Sequence, residues 1–257
     1  MKKFGLALGS GGFKGFYHIG VLKCLEDNNI KINYLSGTSA GALIGGIYLA
    51  TNSAKETEQL CLSMTKKDYA LIFSNIASLP SKGILQGEKL IEKITQLTQN
   101  KKIENLSVPF IILATDLLTG NSVKITKGEL SHAIRASSSV PFLFKPYKTK
   151  DSYLIDGGLS SPVPFKAVKE MGADVVLSVS LHNPKNAEKI NLKTILNNTI
   201  QISLYNLTKE QIKDSDITLY PQIKDSNWIN LTDPENIIEQ GYNETKEIIP
   251  NLKQLLS

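Results

Sequence analysis

Apolar and polar positions along the chain follow two alternating periods. Lys3 to Leu8 is a short apolar run that predicts a strand. After a glycine turn, His18, Val21, Leu22 and Leu25 fall at i, i+3, i+4 and i+7, which predicts a helix running to Asp27. Asn28-Asn29 stops it, Ile32 to Leu35 predicts a second strand, and Gly37 opens a sharp turn into an Ala/Gly-rich helix from about Ala40 to Thr51. Residues 54 to 100 read as helical with a break at 78–83. The apolar residues between 66 and 90 suit either a cap over a site or an ordinary amphipathic helix pair.

Pro109 to Lys127 predicts a buried strand, a Thr119-Gly120-Asn121 turn and a partner strand. A short helix over 129–139 and two short strands around Lys148 to Ser152 lead to Asp156-Gly157-Gly158. Beyond them come a helix from Pro164 to Met171, a buried strand from Asp174 to Leu181, a long helix from about Leu192 to Lys213 and a strand from Ile217 to Tyr220. A last helix has Asp233 as N-cap and Pro234 at its first position. Strands alternating with helices predict an α/β chain with a mostly parallel sheet covered on both faces. No repeat or low-complexity linker interrupts the pattern, so residues 1–257 are expected to form a single domain.

Composition adds limits. The formal charge of +5 comes from lysines scattered over the chain, with no basic run longer than pairs such as Lys66-Lys67, so a solvated surface is expected and a nucleic-acid partner is not. The N-terminal apolar run of about five residues is below the roughly 7–15 of a signal-peptide core, and no apolar stretch reaches the about 18 residues of a bilayer span. A cytoplasmic protein is therefore expected, with peripheral membrane association as a candidate property. Cys24 and Cys61 match no metal or redox spacing and read as free thiols inside helices. Nothing in the composition specifies an oligomeric state.

Two glycine-rich turns carry candidate chemistry. Gly37-Thr38-Ser39-Ala40-Gly41 is a G-x-S-x-G sequence between a predicted strand and a predicted helix. In that context Gly37 and Gly41 let the two backbones approach, so Ser39 can present its hydroxyl at the apex of a strained turn, beside the positive end of a helix dipole. The same pentapeptide also suits an ordinary tight turn.

The other turn is Gly9-Ser10-Gly11-Gly12-Phe13-Lys14-Gly15. Its backbone N–H groups suit a phosphate or an oxyanion. A dinucleotide fingerprint fails, because the last glycine of G-x-G-x-x-G is Lys14 and no acidic residue ends the second strand; a P-loop fails for want of Gly-Lys-Ser/Thr. That leaves anion binding of another kind, and the candidate nucleophile one β-α unit later suggests an oxyanion hole.

The serine needs a base. The order Ser39, Asp156, His182 matches an α/β-hydrolase triad, but that fold places several strands before its nucleophile and this chain places one strand and one helix before the strand that feeds Ser39. His18, His132 and His182 read as packing or hydrogen-bonding residues. Asp156 ends an apolar strand and is followed by Gly157 and Gly158, which permit close approach to a partner; a structural turn is the alternative for this motif.

Together, the glycine turn followed by His18-Ile19-Gly20-Val21-Leu22, the Gly37-to-Gly41 elbow and Asp156-Gly157-Gly158 resemble the patatin-like phospholipase family of bacterial type. The segment from Arg135 to Tyr147 is similar to the Arg-Ala-Ser and Pro-x-x-Phe-x-Pro stretch that precedes the aspartate in that family. The landmarks cover about residues 4 to 165. The resemblance implies a three-layer α/β/α fold and a lipid acyl hydrolase of phospholipase A or lysophospholipase type, working without cofactor or metal. It implies Ser39 as nucleophile, Asp156 as general base, the N–H groups of Gly11, Gly12 and Phe13 as oxyanion hole, and Lys14 as the basic residue usual in that turn. The partners implied are a lipid or acyl-ester substrate, with transient membrane-surface contact as a candidate. Ser10 departs from the family's triple glycine, and a positive φ there would be strained. A small-molecule carboxylesterase or thioesterase is the alternative activity, and a lipid-binding protein without catalysis a further one.

Overall fold

The computed structural model describes residues 2–64, 68, 87–141, 143–182, 192–223 and 233–257. Its centre is an eight-stranded sheet: β1 (Phe4–Leu8), β2 (Tyr34–Thr38), β3 (Phe110–Asp116), β4 (Ser122–Ile125), β5 (Tyr147–Lys148), β6 (Tyr153–Asp156), β7 (Val175–Val179) and β8 (Ile217–Leu219). The order is β5-β6-β3-β2-β1-β7-β8, with β4 paired to β3. From β3 to β8 the strands are parallel; β4 and β6 run antiparallel to β3.

Period-2 alternation divides the sheet into two faces. Phe4, Leu6 and Leu8 point into the main core with α1 (Phe16–Asp27), α2 (Ala40–Thr51), α3 (Ala54–Leu62) and α4 (Glu88–Leu97). Ala7 and Val176 point the other way, against α6 (Phe165–Glu170), which follows α5 (Leu130–Ser137) in the chain. The second face also receives Ile212, just beyond α7 (Leu192–Gln211). The last helix, α8 (Pro234–Leu256), packs back on α1 and joins the main core through Ile237, Ile238, Ile249 and Leu252. The expected three layers are present.

Most expected elements stand where the periodicity put them. Asp233 caps α8 by accepting from Asn236 N at 3.0 Å, Pro234 is at the first turn, and Cys24 and Cys61 are both buried. Two elements differ. The glycine turn continues into a short 3-10 helix, Gly12–Gly15, before α1 begins. The second strand is displaced from the expected 32–35 to Tyr34–Thr38, because Asn33 is used to join the strands laterally: its Oδ1 accepts from Phe4 N at 2.8 Å and its N–H donates to Phe4 O. The strand therefore runs through Gly37 and the turn narrows to Ser39 alone. The candidate cap over residues 66–90 lies for the most part outside the described residues.

Candidate active site

In a parallel sheet the loops leaving the carboxyl ends of the strands converge on one edge. Here the glycine turn leaves β1, Ser39 follows β2 and the β3–β4 turn leaves β3. β6, being antiparallel, brings Asp156 level with Ala114 near the same end of β3.

Ser39 is the N-cap of α2 at φ 52°, ψ −112°, a conformation that L residues rarely adopt. Such a residue costs about 1–3 kcal/mol and persists only where its surroundings over-determine it. Gly41 is one determinant: a Cβ there would lie 2.1 Å from the Leu8 carbonyl oxygen, so only glycine lets α2 start so close to β1. Gly37 is pressed against Gly41 and Ala42 in the same way. A further determinant was not singled out from the sequence. Ser137 Oγ accepts the Ser39 N–H at 2.8 Å and donates to Leu113 O at 2.6 Å, which fixes the turn to β3.

Ser39 Oγ donates to Asp156 Oδ2 at 2.7 Å. The other carboxylate oxygen accepts from Gly158 N at 2.8 Å, so the motif after Asp156 orients its side chain. Gly157 is required by space, since a Cβ would lie 2.1 Å from Leu113 O. The Asp156 amide donates to Ser139 O at 2.9 Å, and Thr115 Oγ1 donates to the Asp156 carbonyl at 2.9 Å. Residues 137 and 139 thus hold the backbones of both Ser39 and Asp156. Arg135, itself buried, donates to Ser139 Oγ and to Lys145 O and lies over the Phe144 ring at 4.8 Å.

Ser39 and Asp156 are both buried, each 8% exposed. Burial raises the Asp156 carboxyl to about 6, opposed by the hydrogen bonds from Ser39 and Gly158. It is ionised at neutral pH and a better proton acceptor than an exposed aspartate.

The glycine turn stands against this pair. A Cβ on Gly15 would lie 2.8 Å from Ala40 Cβ, and one on Gly158 would lie 2.8 Å from Ser10 Oγ and 2.9 Å from Asp156 Oδ1. Gly11 is extended at φ 168° and Gly12 left-handed at φ 58°. Among the described residues no protein group accepts from the N–H of Gly11 or Gly12. Phe13 begins the buried face of the short helix, its ring tilted against that of Phe16 with centroids 5.0 Å apart. Ser10 does not take a positive φ, so the strain that a serine there would bring is absent.

All three histidines are away from Ser39 Oγ. His18 Nε2 donates to Gly9 O at 2.8 Å, and His132 Nδ1 meets Tyr147 Oη at 2.7 Å. His182 Nε2 lies 2.7 Å from Ser10 Oγ, and its Nδ1 lies 3.2 Å from Gln201 Oε1. Burial lowers both His18 and His182 to about 4, so both are neutral at pH 7. Gln201 Oε1 can only accept, which places the His182 proton on Nδ1 and makes Nε2 the acceptor of the Ser10 hydroxyl. Lys14 Nζ reaches Leu181 O at 3.0 Å, a second tie between the turn and the end of β7. Among the described residues no three His, Cys, Asp or Glu side chains converge as metal ligands.

A protein-family model described as Patatin-like phospholipase matches residues 6–169. An uncharacterised NTE family protein of Mycobacterium tuberculosis is 35% identical over 177 residues, 69% of this chain and 48% of that protein. Human patatin-like phospholipase domain-containing protein 6 is 31% identical over 180 residues, 68% of this chain and 13% of that protein. Lysophospholipase NTE1 of Yarrowia lipolytica is 31% identical over 183 residues, 69% of this chain and 12% of that protein. The chain thus spans half or less of the length of these relatives. Among solved structures, ExoU in complex with SpcU from Pseudomonas aeruginosa has a TM-score of 0.57 at 16% identity, covering 99% of this chain and 52% of that one. VipD from Legionella pneumophila has a TM-score of 0.55 at 12% identity, covering 97% of this chain and 67% of that one. These two share the fold.

Proposed function

Because the chain belongs to the patatin-like phospholipase family, we propose that it is a lipid acyl hydrolase, of phospholipase A or lysophospholipase type, with Ser39 as nucleophile and Asp156 as general base. The observation that carries this reading is the 2.7 Å hydrogen bond from Ser39 Oγ to Asp156 Oδ2 at a strained strand-to-helix turn. A patatin-like phospholipase domain-containing protein and a lysophospholipase among the named relatives favour a lipid ester over other acyl compounds.

In the proposed reaction Ser39 Oγ attacks the ester carbonyl carbon while its proton passes to Asp156. The carbonyl oxygen becomes an oxyanion, held by the N–H groups of Gly11 and Gly12, with that of Phe13 as third donor. Collapse breaks the bond to the alcohol, which leaves with the proton from Asp156. Water then attacks the acyl-serine, giving its proton to Asp156, and the fatty acid leaves as Ser39 is reprotonated. Asp156 serves both halves because its raised pKa lets it take and return a proton near neutral pH. We also take residues 1–257 to act as a single domain.

The test is hydrolysis of a short-chain and a long-chain p-nitrophenyl ester and of a fluorogenic phospholipid, by the wild type and by Ser39→Ala in parallel. Phospholipid cleavage that depends on Ser39 is expected. Cleavage of the short ester alone would move the assignment to a small-molecule carboxylesterase or thioesterase. A folded wild type that cleaves nothing and leaves Ser39 unlabelled by a fluorophosphonate probe would point to a lipid-binding protein instead.

A further inference from the structure

Apolar side chains left in solvent are normal when scattered singly and informative when they gather. Among the described residues the large exposed ones gather at one end of the molecule. Leu117 and Leu118 form the turn that leaves the carboxyl end of β3, exposed by 47% and 73%. Tyr153 stands beside them, its carbonyl accepting from Leu117 N at 2.8 Å, and Leu159 ends the short helical turn that begins at Gly157, next to Asp156.

On the other flank of the site Ile195 and Ile202 lie two turns apart on one side of α7, where Gln201 reaches His182 just past the end of β7. Tyr220 follows β8 directly and is 40% exposed. All of these large exposed apolar residues therefore lie at or beyond the strand-carboxyl edge that carries Ser39, on both sides of β1 and β2. With the antiparallel spacing of about 3.4 Å per residue, Asp116 stands about 7 Å beyond the level of Asp156, and Leu117 and Leu118 lie in the turn that follows it.

We propose that this edge is a lipid-surface docking face, which seats the molecule on a bilayer with Ser39 directed at the membrane plane. The inference rests on the lipid-hydrolase reading above. The arrangement argues for a bilayer as occupant. The apolar residues come from four separate segments and surround the site; they do not form one stripe, as a helix-binding groove or a helical dimer seam does. A fluid interface accepts a spread of shallow insertions. The polar residues between them fit the same occupant. Lys148 and Lys150 project exposed from the β5–β6 turn, Lys148 Nζ lying 5.9 Å from the centre of the Tyr153 ring, in the pattern of interfacial aromatic and basic anchors. Asp151, next in the chain after Lys150, is exposed as well, while the Asp116 carboxylate is turned back onto the amides of Leu118 and Thr119 at 2.9 Å. Attachment is therefore expected to be chiefly apolar, with a smaller contribution from anionic headgroups.

The test is flotation with phosphatidylcholine vesicles, with and without phosphatidylglycerol, using full-length Ser39→Ala so that no lipid is consumed. The Ser39→Ala protein is expected to float with both, more tightly with the anionic one, and raised salt should leave most binding in place. Leu117→Asp/Leu118→Asp and Ile195→Asp/Ile202→Asp, each shown by thermal melting to be folded, should each lower partitioning by about tenfold or more. Failure of the Ser39→Ala protein to bind either vesicle, binding untouched by both double variants, or binding abolished by salt would overturn the proposal. Hydrolysis is read separately on monomeric ester. Turnover by the wild type without vesicle binding defeats the docking face alone, and vesicle binding by a wild type that turns nothing over defeats the hydrolase reading alone.

Discussion

Ser10 and Ser39 lie one residue or two past the ends of neighbouring parallel strands, both nearly buried, and each hydroxyl is 2.7 Å from a side chain able to take its proton. Ser39 faces a carboxylate that burial has made more basic, at about 6. Ser10 faces an imidazole that burial has made less basic, at about 4, oriented by the neutral amide of Gln201. Ser39 is held at a positive φ that presents its hydroxyl at the apex of a turn; Ser10 is unstrained and lies 3.3 Å from a second acceptor, Pro162 O. Desolvation thus suits one pair to the proposed proton transfer and blunts the other. The comparison teaches that a serine–histidine contact is weak evidence for a nucleophile without a charged partner and a strained backbone. It assigns the Ser10–His182 pair to holding the glycine turn on β7.

Ser39→Ala is expected to show the largest loss. Asp156→Asn comes next, with a fall in turnover of about 10²–10⁴-fold. It should also make the protein more stable. The folded carboxyl titrates near 6, above its ordinary 3.8, so its contribution to stability is full below about 4 and is lost as pH rises through 6. Replacing it by a neutral amide should gain about 3 kcal/mol at pH 7, and the gain should vanish toward pH 4. The same titration sets an acid limb in the wild-type rate near pH 6. A limb unmoved from the ordinary aspartate range would argue that Asp156 is not the base.

Gly12 sharpens the comparison from the side of the oxyanion. Gly12→Ala puts a Cβ at φ 58° and displaces the two N–H groups that have no protein acceptor among the described residues. A drop of about 10²–10³-fold in kcat, with KM little changed, is expected. Near-normal kcat would remove the turn from the reaction.

The sequence made the Ser39 pair more legible than the Ser10 pair, for a physical reason. Ser39 is announced by local requirements: glycines two positions either side, a strand before and a helix after. Asp156 carries its own orienting amide two residues on, in Gly158. Helix α2 begins and ends where its Ala/Gly-rich pattern does, and α8 starts at its Asp233 cap. The contact of Ser10 with His182 spans 172 residues and exists only because β1 pairs with β7, which no local pattern specifies. The clamp made by Ser137 and Ser139 was hidden similarly: the segment is visible as Arg135-Ala136-Ser137-Ser138-Ser139, but which hydroxyl or carbonyl meets which backbone depends on how α5 ends against β3.

His182→Ala bears directly on the division between the two serines. If His182 only positions the turn, kcat should fall by less than about tenfold and the acid limb should stay near pH 6, since that limb belongs to Asp156. Stability should fall by about 1–3 kcal/mol, because the buried Ser10 hydroxyl loses its acceptor at 2.7 Å and must turn its one proton to Pro162 O at 3.3 Å. A loss matching Asp156→Asn in a folded protein, or a limb that moves, would make the histidine a member of the reacting group.

The smallest effect is expected from Ser10→Gly, which restores the residue that the resemblance leads one to expect in the turn. Ser10 does not occupy the left-handed region, so glycine relieves no strain there, and the N–H that both residues share still donates to Pro162 O at 2.8 Å. Activity on monomeric ester should therefore stay within about threefold of wild type, and the change should appear in stability through the lost His182 contact. In Ser10→Gly/His182→Ala the second substitution should add little to the first, because the two remove one shared hydrogen bond. A double variant whose losses simply add would mean that the turn and β7 are joined by something other than this pair, leaving the Gly9 N–H to Val179 O bond and the Lys14 to Leu181 contact as the ties that matter.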